Sequence, residues 1–391
     1  MFHRNINLPK KHSFFLFGMR GCGKTTLLKT QFSSQNALWI DLLLAEQELK
    51  YRRNPDILLK ELQGLHEAGR QPELVIIDEV QKVPAMLDVV HHCIENMGQV
   101  FALTGSSARK LKRGGANLLA GRAYVFHLFP LDCFELSSSF SLDYHLTWGG
   151  LPALYPDGVM TDLERRRFLT SYVHTYLREE IASEQLVRNL DPFSMFLEVS
   201  AQSNGQIINY SRQAREAGID DKTVEKYYSI LADTHLGFLL PPFHLSVRSQ
   251  QQGSPRFYYD DTGLVRAIQN RLEIPVTPSC YEYGRLFETF IVGQVHHLNA
   301  ALEKNYRLFY LRTKDGTELD LIIEKAPDIR YCVEIKSGTV TGPQGFSAQR
   351  ALARDIPGGS FTVWSSNELP LVDDGFRVLP WRIGLQEVFG I

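Results

Sequence analysis

Two sets of residues in this chain have the types and spacing to do chemistry. The first is Gly18-Met19-Arg20-Gly21-Cys22-Gly23-Lys24-Thr25, which fits the phosphate-binding spacing G-x-x-x-x-G-K-[ST]. Glycines let such a loop curl until successive backbone N–H groups converge on an anion, with no side chain blocking the approach. Lys24 would reach the β and γ phosphates, Thr25 would put its hydroxyl on the metal, and the following helix would aim its positive end at the phosphates. The stretch from Gly18 through Thr25 to Thr26 is therefore the expected site for a nucleoside triphosphate, ATP with Mg2+.

Downstream, Leu74-Val75-Ile76-Ile77-Asp78-Glu79 is an apolar strand that ends in two carboxylates. Asp78 would hold magnesium through its water shell, and Glu79 would polarise the water that attacks the γ phosphate. A third apolar run, Val100 to Leu103, leads into Thr104-Gly105-Ser106-Ser107. Two readings stand here: hydroxyls that meet the attacking water or γ phosphate, with Ser106 as the catalytic candidate, or an ordinary polar turn. The basic stretch that follows carries Arg109, Lys110, Lys112, Arg113 and Arg122. An arginine supplied by a neighbouring subunit would stabilise the charge of phosphoryl transfer, and Arg122, leading directly into the apolar run Tyr124 to Leu128, is the first candidate. Solvated surface charge is the other reading of each of these residues.

The second set is Glu288, Asp320, Glu334 and Lys336. Glu318 to Ile323 and Tyr331 to Lys336 read as two strands of a hairpin, with the segment Glu324 to Arg330 as its turn. Strand alternation puts Glu334 and Lys336 on one face and lets Asp320 face Glu334. Glu288, on an amphipathic helical stretch from Gly284 to His296, would add a third carboxylate.

These residues need a scaffold, and the flanking sequence supplies one. Ser13 to Phe17 is a short apolar, aromatic-rich run of the kind that forms a buried parallel strand, and Thr25 to Gln31 suits a helix. With 391 residues, 44% hydrophobic and 22% charged, the chain is long enough for two or three domains with cores of their own. The formal net charge of −2 argues against a uniformly basic nucleic-acid binder but allows local patches. The beginning of the chain lacks a secretion signal and no run is apolar enough to span a membrane, so a cytoplasmic location is expected. Cysteines at 22, 93, 133, 280 and 332 contain no C-x-x-C pair, which excludes an obvious zinc or disulfide framework. Cys22, inside the loop, is either a tolerated position or one whose oxidation would disturb nucleotide binding.

The segments G-M-R-G-C-G-K-T, L-V-I-I-D-E-V-Q, L-T-G-S-S and L-A-G-R-A-Y-V-F-H-L-F-P-L together resemble a group of prokaryotic AAA-type (AAA+) ATPases that carry a C-terminal nuclease-like domain of unknown function. That resemblance implies an α/β fold with a P-loop NTPase parallel sheet, then a helical connector with a winged-helix-like module, then a restriction-endonuclease-like α/β domain. It places these at residues 1–142, 143–275 and 276–391. Asp320 followed by Glu334-Ile335-Lys336 is similar to the D…(D/E)-x-K signature of restriction-like nucleases. The resemblance makes Asp320 and Glu334 magnesium ligands, gives Lys336 a water-positioning or deprotonating role, and has Glu288 support the metal. A fold retained with its cleavage lost is the alternative. A homo-oligomer is also implied.

Within the connector, Asp162 to Glu184 reads as a helix carrying Arg165, Arg166, Arg167 and Arg178, either a solvated face or a DNA contact. Three further helical patterns, from Pro192 to Ser203, Ser211 to Ala217 and Asp221 to Thr234, suit a helix-turn-helix. Asp220 or Asp221 would cap the last of them, with Lys222, Lys226 and Tyr227 facing outward. Across the last two patterns Arg212, Arg215, Lys222 and Lys226 are nearly balanced by Glu216, Asp220, Asp221, Glu225 and Asp233, so DNA contact and protein packing both stand. Three function classes result: an ATP-driven machine acting on DNA, branched DNA included; a magnesium-dependent nuclease with a regulatory ATPase; and an ATP-dependent switch that binds protein partners.

Overall fold

The apolar runs of the first part become strands of one sheet. In the computed structural model, which describes residues 2–107, 111, 119, 121–156, 158–177, 181, 190–244 and 253–391, these are β1 (Ser13–Phe17), β2 (Ala37–Asp41), β3 (Leu74–Asp78), β4 (Phe101–Gly105) and β5 (Ala123–His127). Helices α1 (Lys24–Gln31), α2 (Ala45–Arg53), α3 (Ile57–Glu67) and α4 (Met86–Met97) connect them. Arg109, Lys110, Lys112, Arg113 and Arg178 lie outside the described residues. The sheet order is β2-β3-β4-β1-β5 and its pairings are parallel. Every residue of β1, β3 and β4 is buried, whereas β2 and β5 at the two edges are partly exposed. Strands covered on both faces by crossover helices must be apolar throughout, which is why the three central ones are legible as unbroken runs.

Amphipathic packing fixes the helices. α4 buries Met86, Leu87, Val89, Val90 and Cys93 and stops at Gly98, whose left-handed backbone (φ 62°) returns its N–H to Cys93. These side chains join Phe15, Phe17, Val75, Ile77, Phe101 and Leu103 in one core. Because β1 is inserted between β4 and β5, the chain reverses its strand order beside the C-terminal end of β1, the place where open α/β sheets form a crevice.

The chain divides into two compact units: residues 1–131 with 233–236, and residues 132–232 with 237–391. The short return at 233–236 brings the His235 ring within 6.4 Å of Phe17 and 4.9 Å of His127.

The second unit begins with helices. Leu142–Trp148 is capped by Ser141, and Asp162–Ser171 opens on a capping box between Thr161 and Glu164, then runs into a π-helical stretch, Tyr172–Leu177. Arg165 donates to the Tyr144 hydroxyl (2.8 Å) and pairs with Asp162, and Arg166 pairs with Glu273 (3.1 Å), so two members of the arginine triplet serve their own unit.

Helices Leu190–Gln202, Tyr210–Ala217 and Asp221–Asp233 follow, then the antiparallel hairpin β6 (Gly237–Leu240) and β7 (Arg256–Tyr259). Asp220 accepts from Thr223 N at 3.0 Å and is the cap expected for the third helix. Lys222 and Lys226 are exposed. Tyr227 does not face outward: it is buried, edge-on to Phe193 and Phe196 at 5.0 and 5.3 Å, because its large ring completes the aromatic core of this helical group.

The last part is a mixed sheet in the order β12-β13-β11-β10-β9-β8, with β8 (Arg307–Arg312), β9 (Glu318–Ala326), β10 (Ile329–Lys336), β11 (Gly359–Ser365), β12 (Leu371–Asp373) and β13 (Phe376–Pro380). The β9–β10 turn is much tighter than the seven-residue turn read from the sequence. Glu324 sits opposite Arg330 in the ladder and pairs with it at 2.7 Å, with Arg307 on its other oxygen, so a cross-strand charge pair carries both strands past their apolar parts. The helix Tyr281–Ala301 lays Leu286, Phe287, Phe290 and Ile291 into a core with Leu321, Ile323, Val333, Ile335 and Trp364.

Candidate functional site

The first candidate site lies at the C-terminal ends of β1, β3 and β4. Gly18 follows β1 directly, and its N–H meets the Gly105 carbonyl of β4 at 3.3 Å. A Cβ at Gly18 would fall 2.2 Å from the Leu128 carbonyl oxygen, so the loop can hug the sheet only with glycine there. Gly23 (φ 97°) turns the chain into α1, and no side chain caps that helix. Its first amides have no helical carbonyl to bind, and the positive end of the helix faces into the curl of the loop. Lys24 is buried, and its ammonium donates to the loop's own carbonyls, Gly18 O at 2.7 Å and Met19 O at 3.3 Å. Arg20, Gly21 and Thr26 are exposed, while Met19 is buried. The Cys22 thiol is fully buried, and burial raises it above the usual thiol range against the opposing charges of Lys24 and Arg4.

Thr25 Oγ1 donates to Asp78 Oδ2 at 2.7 Å. The other oxygen of Asp78 accepts from the Thr104 hydroxyl, and that hydroxyl in turn accepts from the Glu79 N–H at 3.1 Å. Thr104 thus ties the ends of β3 and β4 together. Glu79 has left-handed backbone (φ 59°), an uncommon conformation for a glutamate that swings the chain off the strand at this residue. A side chain that the sequence reading passed over completes the set. Gln81, buried, donates from Nε2 both to Glu79 Oε2 and to Ser106 Oγ, the latter at 3.0 Å. The signal was present in the run Asp78-Glu79-Val80-Gln81, but only the short helical turn Val80–Lys82 folds Gln81 back onto the strand ends.

Uncapped amides and a buried ammonium suit phosphate, and a hydroxyl paired with a carboxylate suits a hard divalent cation. The loop would hold the phosphates of ATP, with Thr25 and Asp78 toward magnesium. Arg122 stands just before β5, ion-paired with Glu95 of α4, in contrast to the residues gathered around Asp78.

Residues 10–137 match the family model described as AAA domain. This segment is a P-loop AAA-type ATPase domain. Residues 139–273 and 283–383 match two families, each described as a domain of unknown function. An uncharacterized protein of Mycobacterium tuberculosis, Rv2008c, is 28% identical over 314 residues, 79% of this chain and 67% of the relative. An uncharacterized protein of Mycobacterium bovis, Mb2031c, matches to the same extent, 28% over 314 residues. Among solved structures, the Walker-type ATPase of Pyrococcus abyssi superposes with a TM-score of 0.46 at 14% identity, covering 66% of this chain and 90% of that one. The Aeropyrum pernix ORC1 protein, solved in complex with DNA, superposes with a TM-score of 0.25 at 13% identity, covering 69% and 88%. No helix among the described residues is long and apolar enough to cross a membrane.

The second candidate site lies in the second unit. Cys332 pairs with Ile322 and Val333 with Leu321, so Asp320 and Glu334 come next along the same register. Asp320 Oδ2 accepts from the Ile335 N–H at 2.9 Å, and Lys336 Nζ donates to Glu334 Oε1 at 2.7 Å. Glu334 Oε2 is buried with no hydrogen-bond partner. Glu288 joins them from its helix, accepting from the Tyr258 hydroxyl at 2.6 Å. Burial, then the charge of Asp320, pushes both Glu288 and Glu334 up to about 7. Asp320 is likewise raised by burial. Burial works against the Lys336 charge, but Glu334, Asp320 and Glu288 together outweigh it and hold the ammonium above its usual range. The four residues named from the sequence therefore share one electrostatic neighbourhood.

Among the described residues no group of three or more His, Cys, Asp or Glu side chains is placed to hold a metal. Two carboxylates with waters suffice for magnesium, and the orphaned oxygen of Glu334 beside Asp320 fits such a cation. Arg256, Tyr258 and Glu318 also belong to this site. Alternation in Arg256-Phe257-Tyr258-Tyr259 could have put the first and third on one face, but nothing in the sequence brings β7 to the carboxylates.

Proposed function

We propose that the protein couples ATP hydrolysis to work on DNA. In this reading Lys24 holds the β and γ phosphates, Thr25 and Asp78 serve magnesium, Glu79 activates the attacking water, and Ser106 with Gln81 orients Glu79. The observation that carries the hydrolytic half is the continuous hydrogen-bonded chain Thr25–Asp78–Thr104–Glu79–Gln81–Ser106, which joins the phosphate loop to the ends of two strands. Lys24→Ala is expected to abolish nucleotide binding or turnover, and Glu79→Gln to bind ATP without hydrolysing it.

The DNA half is supported by element order: three helices followed by an antiparallel hairpin, as in a winged helix, with Lys222 and Lys226 exposed on the third helix. In this reading a P-loop ATPase domain, residues 1–142, is followed by a connector, residues 143–275, and a nuclease-like domain, residues 276–391. The protein works as a homo-oligomer in the cytoplasm, with Arg122 reaching the neighbouring subunit's nucleotide. The deciding measurement is ATPase rate against single-stranded, duplex and branched DNA. Stimulation by one of these forms is expected; none at all would transfer the reading to an ATP-dependent switch for protein partners.

A second reading, magnesium-dependent DNA cleavage with a regulatory ATPase, is favoured by the convergence of Asp320, Glu334 and Lys336. Asp320 and Glu334 would hold the metal, which would supply Lewis acidity and a bound water, while Lys336 positions that water and Glu288 supports the set. Cleavage that disappears in Asp320→Ala and in Lys336→Ala is the expected result, and cleavage retained in both would end this reading.

A further inference from the structure

The acidic cleft of the second unit already contains a cation of the protein's own. Arg256 comes from β7, outside the mixed sheet, and its side chain is 5% exposed. Its guanidinium reaches Glu318 Oε2 at 2.8 Å and Glu288 Oε1 at 3.3 Å. It also lies 4.7 Å from the centre of the Tyr310 ring, whose face favours a cation. Tyr258, two residues on along the same strand, donates to the same Glu288 oxygen. Glu318 uses its remaining oxygen on Arg312 at 3.1 Å. Both carboxylates on this side of the cleft are thus engaged with donors, and the guanidinium stands between them.

The other side differs. Asp320 gives one oxygen to a backbone N–H and Glu334 gives one to Lys336, while Glu334 Oε2 stays buried and unpartnered. A buried carboxylate oxygen without a donor is costly, and a cation relieves that cost. Asp320 lines a cleft of about 360 Å³ together with Glu288, Glu318, Arg256, Arg285 and Arg312, so a hydrated ion has room to approach from the Asp320 side.

We propose that Arg256 is a built-in counter-cation that occupies the place of a second divalent ion between Glu288 and Glu318, leaving Asp320 and Glu334 to bind a single one. The inference rests on the metal-binding half of the nuclease reading and not on cleavage. A guanidinium is permanently charged and presents its donors in a fixed plane, so it bridges two carboxylates without the exchangeable waters a metal would bring. The arrangement makes the site a one-cation site by construction and links its cation occupancy to the seating of the β6–β7 hairpin.

The test is Mn2+ binding to the full chain, read by calorimetry and by electron paramagnetic resonance, without nucleotide and in an Asp78→Asn background that removes the carboxylate of the ATPase site. One Mn2+ per chain is expected, lost in Asp320→Asn and in Glu334→Gln. Arg256→Met should admit a second Mn2+ or tighten binding at least about tenfold, because it removes a fixed positive charge from between two carboxylates. Glu318→Gln in the chain that keeps Arg256 tests the same point without removing the buried arginine: its Mn2+ site should persist, since Glu318 is spent on guanidinium groups. Two Mn2+ in the chain that keeps Arg256, none in either chain, an Arg256→Met protein that folds but binds as its parent does, or loss of the ion in Glu318→Gln would each overturn the proposal. DNA cleavage absent while one Mn2+ is bound would refute the nuclease reading and leave this one standing.

Discussion

Replacing Gln81 by alanine tests the hydrolytic site most directly. Gln81 is 4% exposed, and its amide nitrogen donates to both Glu79 and Ser106. Gly105 makes room for that amide, since a Cβ there would lie 2.6 Å from Gln81 Oε1. A hydrogen bond to a charged partner contributes about 1.5–3 kcal/mol. If that energy holds the Glu79 carboxylate in line with the attacking water, its loss lowers kcat by about 10- to 150-fold. The hydrogen bonds of the Gln81 amide go to Glu79 and Ser106 and not to the phosphate loop, so KM for ATP should move little. The assay is steady-state phosphate release over a range of ATP concentrations for the parent, Gln81→Ala, Glu79→Gln and the double variant. Because Gln81 acts through Glu79, the double variant should be no slower than Glu79→Gln alone. A kcat within about twofold of the parent, a defect confined to KM, or additive losses in the double variant would refute the reasoning.

Three further outcomes follow from the same geometry. Gly149 has φ 83°, and a Cβ there would fall 2.1 Å from Asp261 Oδ1, the carboxylate that also accepts from Gly150 and Leu264, so Gly149→Ala should cost about 3 kcal/mol and lower Tm of the second unit by roughly 5–10 °C in a thermal melt. Asp260, fully buried beside His297, is pushed up to about 7 by burial, so the folded state holds a proton there that the unfolded chain gives up near 4. Its stabilising contribution is complete below about pH 4 and is lost as pH rises through about 7. Urea midpoints should therefore fall between pH 5 and pH 7 in the parent and fall less in Asp260→Asn; equal slopes would remove the assignment. On the DNA reading, Lys222→Glu with Lys226→Glu should weaken DNA binding and reduce the salt dependence by about one counterion per lysine, and unchanged affinity would remove the third helix from the DNA contact.

The two candidate sites were legible to different depths. At the ATPase site the residues lie in short contiguous stretches, and the chemistry follows from the local backbone. The curl at Gly18 to Gly23, the helix it opens, and the carboxylates at the end of an apolar strand are all set within a few residues of one another. Gln81 was missed because its role depends on a short helical turn that folds it back over the strand end, and periodicity does not report such a turn. At the second site the alternation of β9 and β10 was enough to align Asp320 with Glu334 and Lys336. Arg256 was invisible because β7 is separated from those strands by a long helix, and no local rule links them.

By itself, the sequence determined the apolar strands, the phosphate loop, the carboxylates that end β3 and the faces of the C-terminal hairpin, because these depend on steric rules and periods of two or 3.6 residues that act locally. Tertiary structure alone decided that β1 lies between β4 and β5, that Tyr227 turns inward, that Gln81 holds Glu79, and that a guanidinium stands among the carboxylates of the second unit. Those outcomes depend on which buried polar groups find partners once distant segments pack, and burial makes an unpartnered polar group too costly to leave the choice open.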